Sequence, residues 1–282
     1  MYQLSGKNPL GLYEKALEAT LTWSERLDAV KEMGFDFLEI SIDETDLRMN
    51  RVLNRSEDHE LREAITKTGI PISTMCLSGH RRFPIGSLNR EIEDKGMELM
   101  RKAIEFSVDF GVRIIQLAGY DIYYDEVSTP ASRQKFLQNL QTAVDWAAQA
   151  GVILAFETMG APHISTIGKA MEYVSFINSP YLQVYADMGN LSAFQADVGY
   201  EIKIAKKHLV GMHIKDTKHE IFRDIPFGEG STPFIEAFKA LKKSNFKGFY
   251  VMEMWNIPGE NNKEIISQAK RWVENKMEES GM

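Results

Sequence analysis

Four runs in the second half of this 282-residue chain end on side chains that can bind a cation. Val152-Ile-Leu-Ala-Phe-Glu157 and Leu182-Gln-Val-Tyr-Ala-Asp187 each close on a carboxylate. Leu209-Val-Gly-Met-His213 closes on an imidazole and Phe249-Tyr-Val-Met-Glu253 on a third carboxylate. An apolar run that turns polar at its end is how a strand buried on both faces reads as it emerges at the rim of a parallel sheet. The four ends follow one another at roughly 30 residues, about one strand–helix unit, so Glu157, Asp187, His213 and Glu253 are expected to converge. Taken singly, each is a strand-end polar residue paired with a Lys or Arg. Taken together, three carboxylates and an imidazole suit one divalent cation of the Mn²⁺, Zn²⁺, Co²⁺ or Mg²⁺ group, and we place Mn²⁺ first. Without a cation, converging carboxylates would repel and raise one another's pKa. No cluster of cysteines accompanies them, which favours a catalytic ion with open positions over a structural zinc.

The elements that must carry these residues alternate. Thr22–Met33 has apolar residues at helical spacing, with Thr22 as N-cap, Glu25 three residues on and Gly34 as the stop. Helices are further predicted near Glu57–Thr68, Glu91–Phe110, Arg133–Ala150, Ile167–Ile177, Glu201–Lys207, Pro233–Lys243 and Asn262–Lys276. Strands are predicted at Phe35–Ser41, Ile70–Leu77 and Val112–Leu117 besides the four above. The stretch Asn8–Tyr13 is the weakest, since Pro9 and Gly11 interrupt it. Helices pass into strands through short glycine hinges, whereas the loops after Leu77, Leu117, Glu157 and Asp216 are long. That asymmetry belongs to an α/β protein of the (β/α)₈ TIM-barrel class, built as a single domain over residues 1–282, with its site on the long loops. A doubly wound sheet is the rival, but the Gly-rich phosphate turn that usually marks one is absent.

A formal net charge of −7 argues against a nucleic-acid partner held by bulk positive potential. The single cysteine, Cys76, excludes an internal disulfide, and no stretch reads as a signal core or membrane span, so we expect a cytoplasmic protein with no membrane partner. An anionic ligand would have to be caught locally, and two loops offer cations. One carries His80, Arg81 and Arg82; the other runs from Lys215 through Lys218 to Arg223. The second is favoured by the habit of barrels to hold phosphate after strands seven and eight; the first offers a bidentate clamp. Trp255, Tyr120, Tyr123 and Tyr124 are candidates to cover a sugar ring.

The quartet Glu157, Asp187, His213, Glu253 resembles the metal site of the xylose-isomerase-like barrels. The segments Pro9-Leu-Gly-Leu-Tyr-Glu-Lys-Ala16, Cys76-Leu-Ser-Gly-His-Arg-Arg-Phe-Pro84, Gln116-Leu-Ala-Gly-Tyr-Asp121, Ala186-Asp-Met-Gly-Asn190 and His213-Ile-Lys-Asp216 narrow the likeness. Through them the whole chain resembles the L-ribulose-5-phosphate (L-xylulose-5-phosphate) 3-epimerases, also called hexulose-6-phosphate isomerases. The resemblance implies a pentulose phosphate as substrate, and proton removal from C3 through an enediolate. It also implies that Glu157 and Glu253 act as the acid/base pair as well as ligands, while Asp187 and His213 chiefly hold the ion. Related epimerases commonly pair, which implies a homodimer, with the loop Tyr120–Val127 as a candidate interface.

The chain departs from the epimerases of free ketohexoses where those hold the sugar's hydroxyls. Asn190 stands in place of a His, His163 in place of a Glu and His219 in place of an Arg that Arg223 is positioned to replace. With Lys215 and Trp255, the residues Asn190, His163 and Arg223 are therefore the expected sugar contacts, and a free ketohexose is the less expected substrate. An aldose–ketose isomerase or an inosose-type dehydratase on the same quartet is the alternative, because an enediolate serves those reactions too. A phosphodiester-cleaving repair enzyme would want more strand-end histidines and a basic face.

Overall fold

The computed structural model describes residues 8–124, 126–205 and 207–282. Eight parallel strands pair each with its neighbour in sequence, and the last closes on the first. They are β1 (Leu10–Tyr13), β2 (Phe37–Ile42), β3 (Ile72–Leu77), β4 (Ile114–Leu117), β5 (Ile153–Glu157), β6 (Leu182–Asp187), β7 (Leu209–Ile214) and β8 (Phe249–Met252). The closed (β/α)₈ barrel is therefore as expected; its weakest expected strand does form, starting after Pro9 and running unbroken through Gly11, which pairs with Phe37 and Val251. Among the described residues ten α-helices surround it: α1 (Trp23–Glu32), α2 (Asp46–Leu53), α3 (Asp58–Thr68), α4 (Arg90–Phe110), α5 (Pro130–Ala150), α6 (Ile167–Ile177), α7 (Met188–Ala193), α8 (Val198–Ala205), α9 (Phe234–Lys243) and α10 (Asn262–Glu279). None of them is long and apolar enough to cross a membrane.

Local chemistry explains the ends. Thr22 and Glu25 form a complete capping box on α1, and Gly69, Gly111 and Gly151 end α3, α4 and α5 in the left-handed conformation. Two helices escaped the sequence reading. The run Asp46–Leu53 is mostly polar, yet Thr45 caps it and Met49 and Val52 anchor it inward. The six-residue α7 begins with the glycine-containing Met188-Gly-Asn and is started by Asp187, whose side chain accepts the Asn190 N–H at 2.9 Å. Helix α5 also starts earlier than Arg133, with Thr129 as cap and Pro130 at its first turn.

The larger core lies between strands and helices. Inside the barrel a second cluster stacks Tyr13, Phe37, Cys76, Ile114, Ala155, Tyr185 and Val251, so the centre is packed rather than open. Gly211 on β7 makes room for it, because a Cβ there would stand 2.3 Å from the Tyr185 ring. That close approach seats Tyr185 edge-on against His213, with ring centroids 4.9 Å apart.

Candidate metal centre and the rim around it

Strands β5 and β6 end on Glu157 and Asp187, His213 is the penultimate residue of β7, and Glu253 follows β8 directly. Parallel pairing sets Asp187 beside His213 and Glu157 beside Tyr185. One potential ligand atom from each of Glu157, Asp187, His213 and Glu253 lies within 4.8 Å of the other three, and all four residues are buried. His213 Nδ1 is 3.1 Å from Glu157 Oε1 and 3.7 Å from Glu253 Oε2. The cation within this group is Lys215, whose Nζ stands 2.7 Å from Asp187 Oδ2 and 2.7 Å from Glu253 Oε2.

The charges do not balance evenly. Burial pushes the Asp187 carboxyl up to about 7 despite Lys215, with Glu253 and Glu157 adding repulsion. Burial also opposes the charge on Glu253, but Lys215 and His213 prevail and hold it down at about 2. For His213, burial works against protonation, and Glu39 and Glu253 outweigh it, keeping the imidazole well above its ordinary value. Asp187 Oδ2 has the Lys215 ammonium at 2.7 Å. Three buried carboxylates against one ammonium and one imidazole still leave negative charge in a desolvated site, which is costly. That donor set, three carboxylates and an imidazole, fits a divalent cation.

A ring of supporting groups holds the quartet. Glu39 of β2 lies 2.6 Å from His213 Nε2. Gln116 of β4 donates through Nε2 to Glu157 Oε2, while its own Oε1 is buried without a partner. Asn190 is buried on α7 and donates its amide to the Thr158 carbonyl at 2.9 Å. Neither Glu39 nor Gln116 was expected as a site residue, although Gln116 opens one of the segments that carry the family likeness. The available signal was a charged or amide residue in mid-strand among apolar neighbours, since Glu39 sits inside Phe-Leu-Glu-Ile-Ser and Gln116 inside Ile-Ile-Gln-Leu.

The other expected site residues divide. Lys215 lies over the Trp255 ring at 5.5 Å and Arg223 over the same ring at 5.2 Å, with Trp255 edge-on to Tyr13 at 6.2 Å. Lys215, Trp255 and Arg223 thus form one stack leading outward from the quartet. Lys218 is exposed and contributes a backbone bridge to Ile221. His163 meets the Tyr173 hydroxyl at 3.0 Å and stands 3.7 Å from Asp121, on the side of α6 and the β4–α5 loop. On the third loop, His80 is tied to the Gly96 carbonyl at 3.1 Å, and burial pushes its imidazole down to about 4. A neutral ring already engaged with α4 brings no positive charge to a phosphate. Arg82 is exposed and paired with Asp46 at 2.6 Å. Arg81 lies over the Tyr123 ring at 5.7 Å, and its buried Nε has no acceptor among the described residues.

A second charged centre, unseen in the sequence, fills the rim after β1, β2 and β8. Glu14 is buried and takes Arg26 at 3.0 Å, Arg51 at 2.8 Å and Arg48 at 3.8 Å, while its Oε2 accepts the Ser41 N–H at 2.9 Å. Lys15 pairs with Asp43 at 2.6 Å and Arg51 with Glu57 at 3.2 Å. Burial opposes the Glu14 charge, but Arg51, Arg48 and Arg26 hold its carboxyl below the usual value. Arg48 Nη1 and Asn256 Nδ2 remain buried with no acceptor among the described residues.

A model of the xylose isomerase-like TIM barrel family matches residues 27–276. The chain is 46% identical over 281 residues to the L-ribulose-5-phosphate 3-epimerase UlaE of Escherichia coli strain K12, covering 99% of this chain and 98% of that one. Its fold matches that of an L-ribulose 3-epimerase with a TM-score of 0.78 at 18% identity, covering 97% and 96% of the two chains. It also matches the D-allulose 3-epimerase of Methylomonas sp., solved with D-allulose, with a TM-score of 0.79 at 15% identity and coverage of 96% and 97%. At these identities the two structural likenesses are of fold.

Proposed function

The chain belongs to the xylose isomerase-like TIM barrel family and, within it, to the L-ribulose-5-phosphate 3-epimerases, and from that premise we propose that it interconverts L-xylulose 5-phosphate and L-ribulose 5-phosphate by inverting C3. The observation that carries the reading is the quartet itself: three carboxylates and an imidazole within 4.8 Å, all buried, with the single ammonium of Lys215 shared by two of the carboxylates. Glu157, Asp187, His213 and Glu253 would hold one divalent ion, Mn²⁺ first, and such an ion supplies Lewis acidity toward the charge that develops on the ketose C2 oxygen.

The proton work falls to the chain's own residues. Inversion at C3 needs one group to take the proton from one face and another to return it on the opposite face, with the roles exchanged in reverse. Glu157 and Glu253 stand on β5 and beyond β8, with β6 and β7 between them, so they approach a common point from different sides. Gln116 steadies Glu157 through a neutral amide, whereas Lys215 grips Glu253 as an ammonium. Trp255, lying between Tyr13 and Arg223, walls the sugar.

We assign the phosphate to the basic part of the rim. Arg48 Nη1, Asn256 Nδ2 and Arg81 Nε are buried N–H donors without acceptors among the described residues, and they come from helix α2, the segment after β8 and the short turn after β3. Charge-assisted hydrogen bonds are each worth about 1.5–3 kcal/mol, so two or three separate phosphorylated from free sugar by roughly a thousandfold. The test compares kcat/KM on L-xylulose 5-phosphate and L-xylulose for the native enzyme and for Arg48→Met, Arg81→Met and Lys218→Met. Loss on the phosphorylated sugar alone in the first two supports the assignment. Loss in Lys218→Met instead moves the grip to the seventh loop, and equal turnover of both sugars by the native enzyme defeats the phosphate claim. We also assign the protein to the cytoplasm and to a homodimer.

A further inference from the structure

Glu39 is a carboxylate inside a barrel whose inner cluster is largely apolar and aromatic. It is fully buried on β2, level with Tyr13 of β1 and Thr74 of β3. The pairing of β2 with β3 shifts register at Leu38 and Glu39. An isolated buried carboxylate costs several kcal/mol, so it persists only where donors surround it. Its Oε2 accepts the Thr74 hydroxyl at 2.7 Å and the Tyr185 hydroxyl at 2.9 Å. Its Oε1 faces His213 Nε2 at 2.6 Å. Glu39 is not a member of the quartet, and the proton chemistry at C3 has no use for it.

We propose that Glu39 is a positioning residue that fixes the ring and the tautomer of His213, so that Nδ1 is the nitrogen offered to the ion. An ionised carboxylate can only accept. Two hydroxyls already donate to Oε2, so the remaining oxygen takes its hydrogen from Nε2. In the neutral imidazole that a bound ion would require, a hydrogen kept on Nε2 leaves the lone pair on Nδ1, the nitrogen 3.1 Å from Glu157 and 3.7 Å from Glu253. Tyr185 adds a second restraint: its hydroxyl fixes Glu39 while its ring packs edge-on against the imidazole at 4.9 Å, and Gly211 admits that ring. The chain Thr74 and Tyr185 to Glu39 to His213 thus joins strands β2, β3, β6 and β7 into one support for a single ligand atom. Partners of this kind commonly account for 10–100-fold in metal affinity.

The inference rests on the metal reading of the quartet, and the experiment separates the two. Zinc, which is diamagnetic, is titrated against a competing chelator into the native protein and into Glu39→Gln, Glu39→Leu and Tyr185→Phe. Thermal unfolding of each metal-free protein checks the fold. Nitrogen-15 spectra of histidine-labelled, zinc-loaded protein report which ring nitrogen carries the hydrogen. The native protein is expected to show zinc on Nδ1 of His213 and a hydrogen on Nε2 protected from exchange. Glu39→Leu should bind zinc 10–100-fold more weakly and lose that protection, with a smaller loss in Glu39→Gln and in Tyr185→Phe. If Glu39→Leu does not fold, the other two variants decide the matter. Zinc affinity within twofold of native in all folded variants, or zinc on Nε2 in the native protein, overturns the role of Glu39 and leaves the metal centre standing. No zinc bound by the native protein overturns the metal centre itself.

Discussion

The rim of this barrel carries two buried charged centres of opposite excess. Across β5 to β8, Glu157, Asp187 and Glu253 outnumber their cations, and Asp187 and Glu253 share the one ammonium of Lys215. Across β8, β1 and β2, the carboxylates Glu14, Asp43 and Glu57 face Lys15, Arg26, Arg48 and Arg51. Among the described residues, the buried atoms there without a hydrogen-bond partner are the N–H donors Arg26 Nε, Arg48 Nη1 and Asn256 Nδ2 together with one carboxylate oxygen, Glu44 Oε2. The quartet and the Glu14–Arg26–Arg51 group are desolvated, so water screens little of the imbalance there, whereas Lys15 and Glu57 at the edge of the second centre are partly exposed. On the reading proposed above, a bound cation belongs at the first centre and a ligand's anionic group at the second. A ketose phosphate chelating an ion through its sugar end and presenting its phosphate to the other side would complete both.

The sharpest way to break this contrast is at the anionic centre. Glu157→Gln and Glu253→Gln should each lower kcat by about 10²–10⁴-fold, the usual worth of a general acid or base, with bound metal quantified in every variant. Removing the ion with a chelator should abolish activity, and Mn²⁺ should restore it. Full activity in metal-free protein would show that the quartet acts through Lys215 and His213 alone. The cationic centre should answer in stability. Glu14→Gln leaves Arg26, Arg48 and Arg51 facing one another and should cost about 3–5 kcal/mol, as breaking a buried pair does, while leaving metal content unchanged. Since Glu14's folded carboxyl lies below its ordinary value, its contribution is present above that value and is lost as pH falls through the lower folded one. Unfolding followed by calorimetry from neutral to acid pH should therefore show a flatter acid limb in Glu14→Gln. A variant as stable as the native chain would mean that the guanidinium cluster is held by packing instead.

The smallest effect concerns assembly. Tyr124 and Val127 expose 63% and 81% of their surface beside the rim, and the Tyr124 hydroxyl reaches Glu44 at 2.7 Å. Asp125, between them, lies outside the described residues. Sedimentation at micromolar concentration should show a dimer that Val127→Glu weakens; a native monomer removes the homodimer.

The two centres also differ in how far the sequence revealed them. Each member of the quartet terminates its own apolar run, so period and spacing alone brought Glu157, Asp187, His213 and Glu253 together. The barrel was legible for a similar reason, since left-handed glycines such as Gly111 and Gly151 separate helix from strand. The cationic centre depends on side chains reaching across helices. Arg48 and Arg51 belong to α2, a helix hidden by its charged residues, and Arg82 is neutralised by Asp46 on that same helix. His80 could not be known to face the Gly96 carbonyl. Lys215 was expected to hold substrate; its place between Asp187 and Glu253 follows from the convergence of β6, β7 and β8, which no local pattern encodes.

The central claim is that two carboxylates on opposite sides of an ion-binding quartet exchange a proton at C3. Turnover of L-xylulose 5-phosphate in deuterated water tests it most directly. Deuterium at C3 of both product and recovered substrate is the predicted result, because a proton exchanged through an enediolate must come from solvent. Deuterium at C1, with an aldose phosphate accumulating, would contradict it and make the protein an isomerase of the same barrel family.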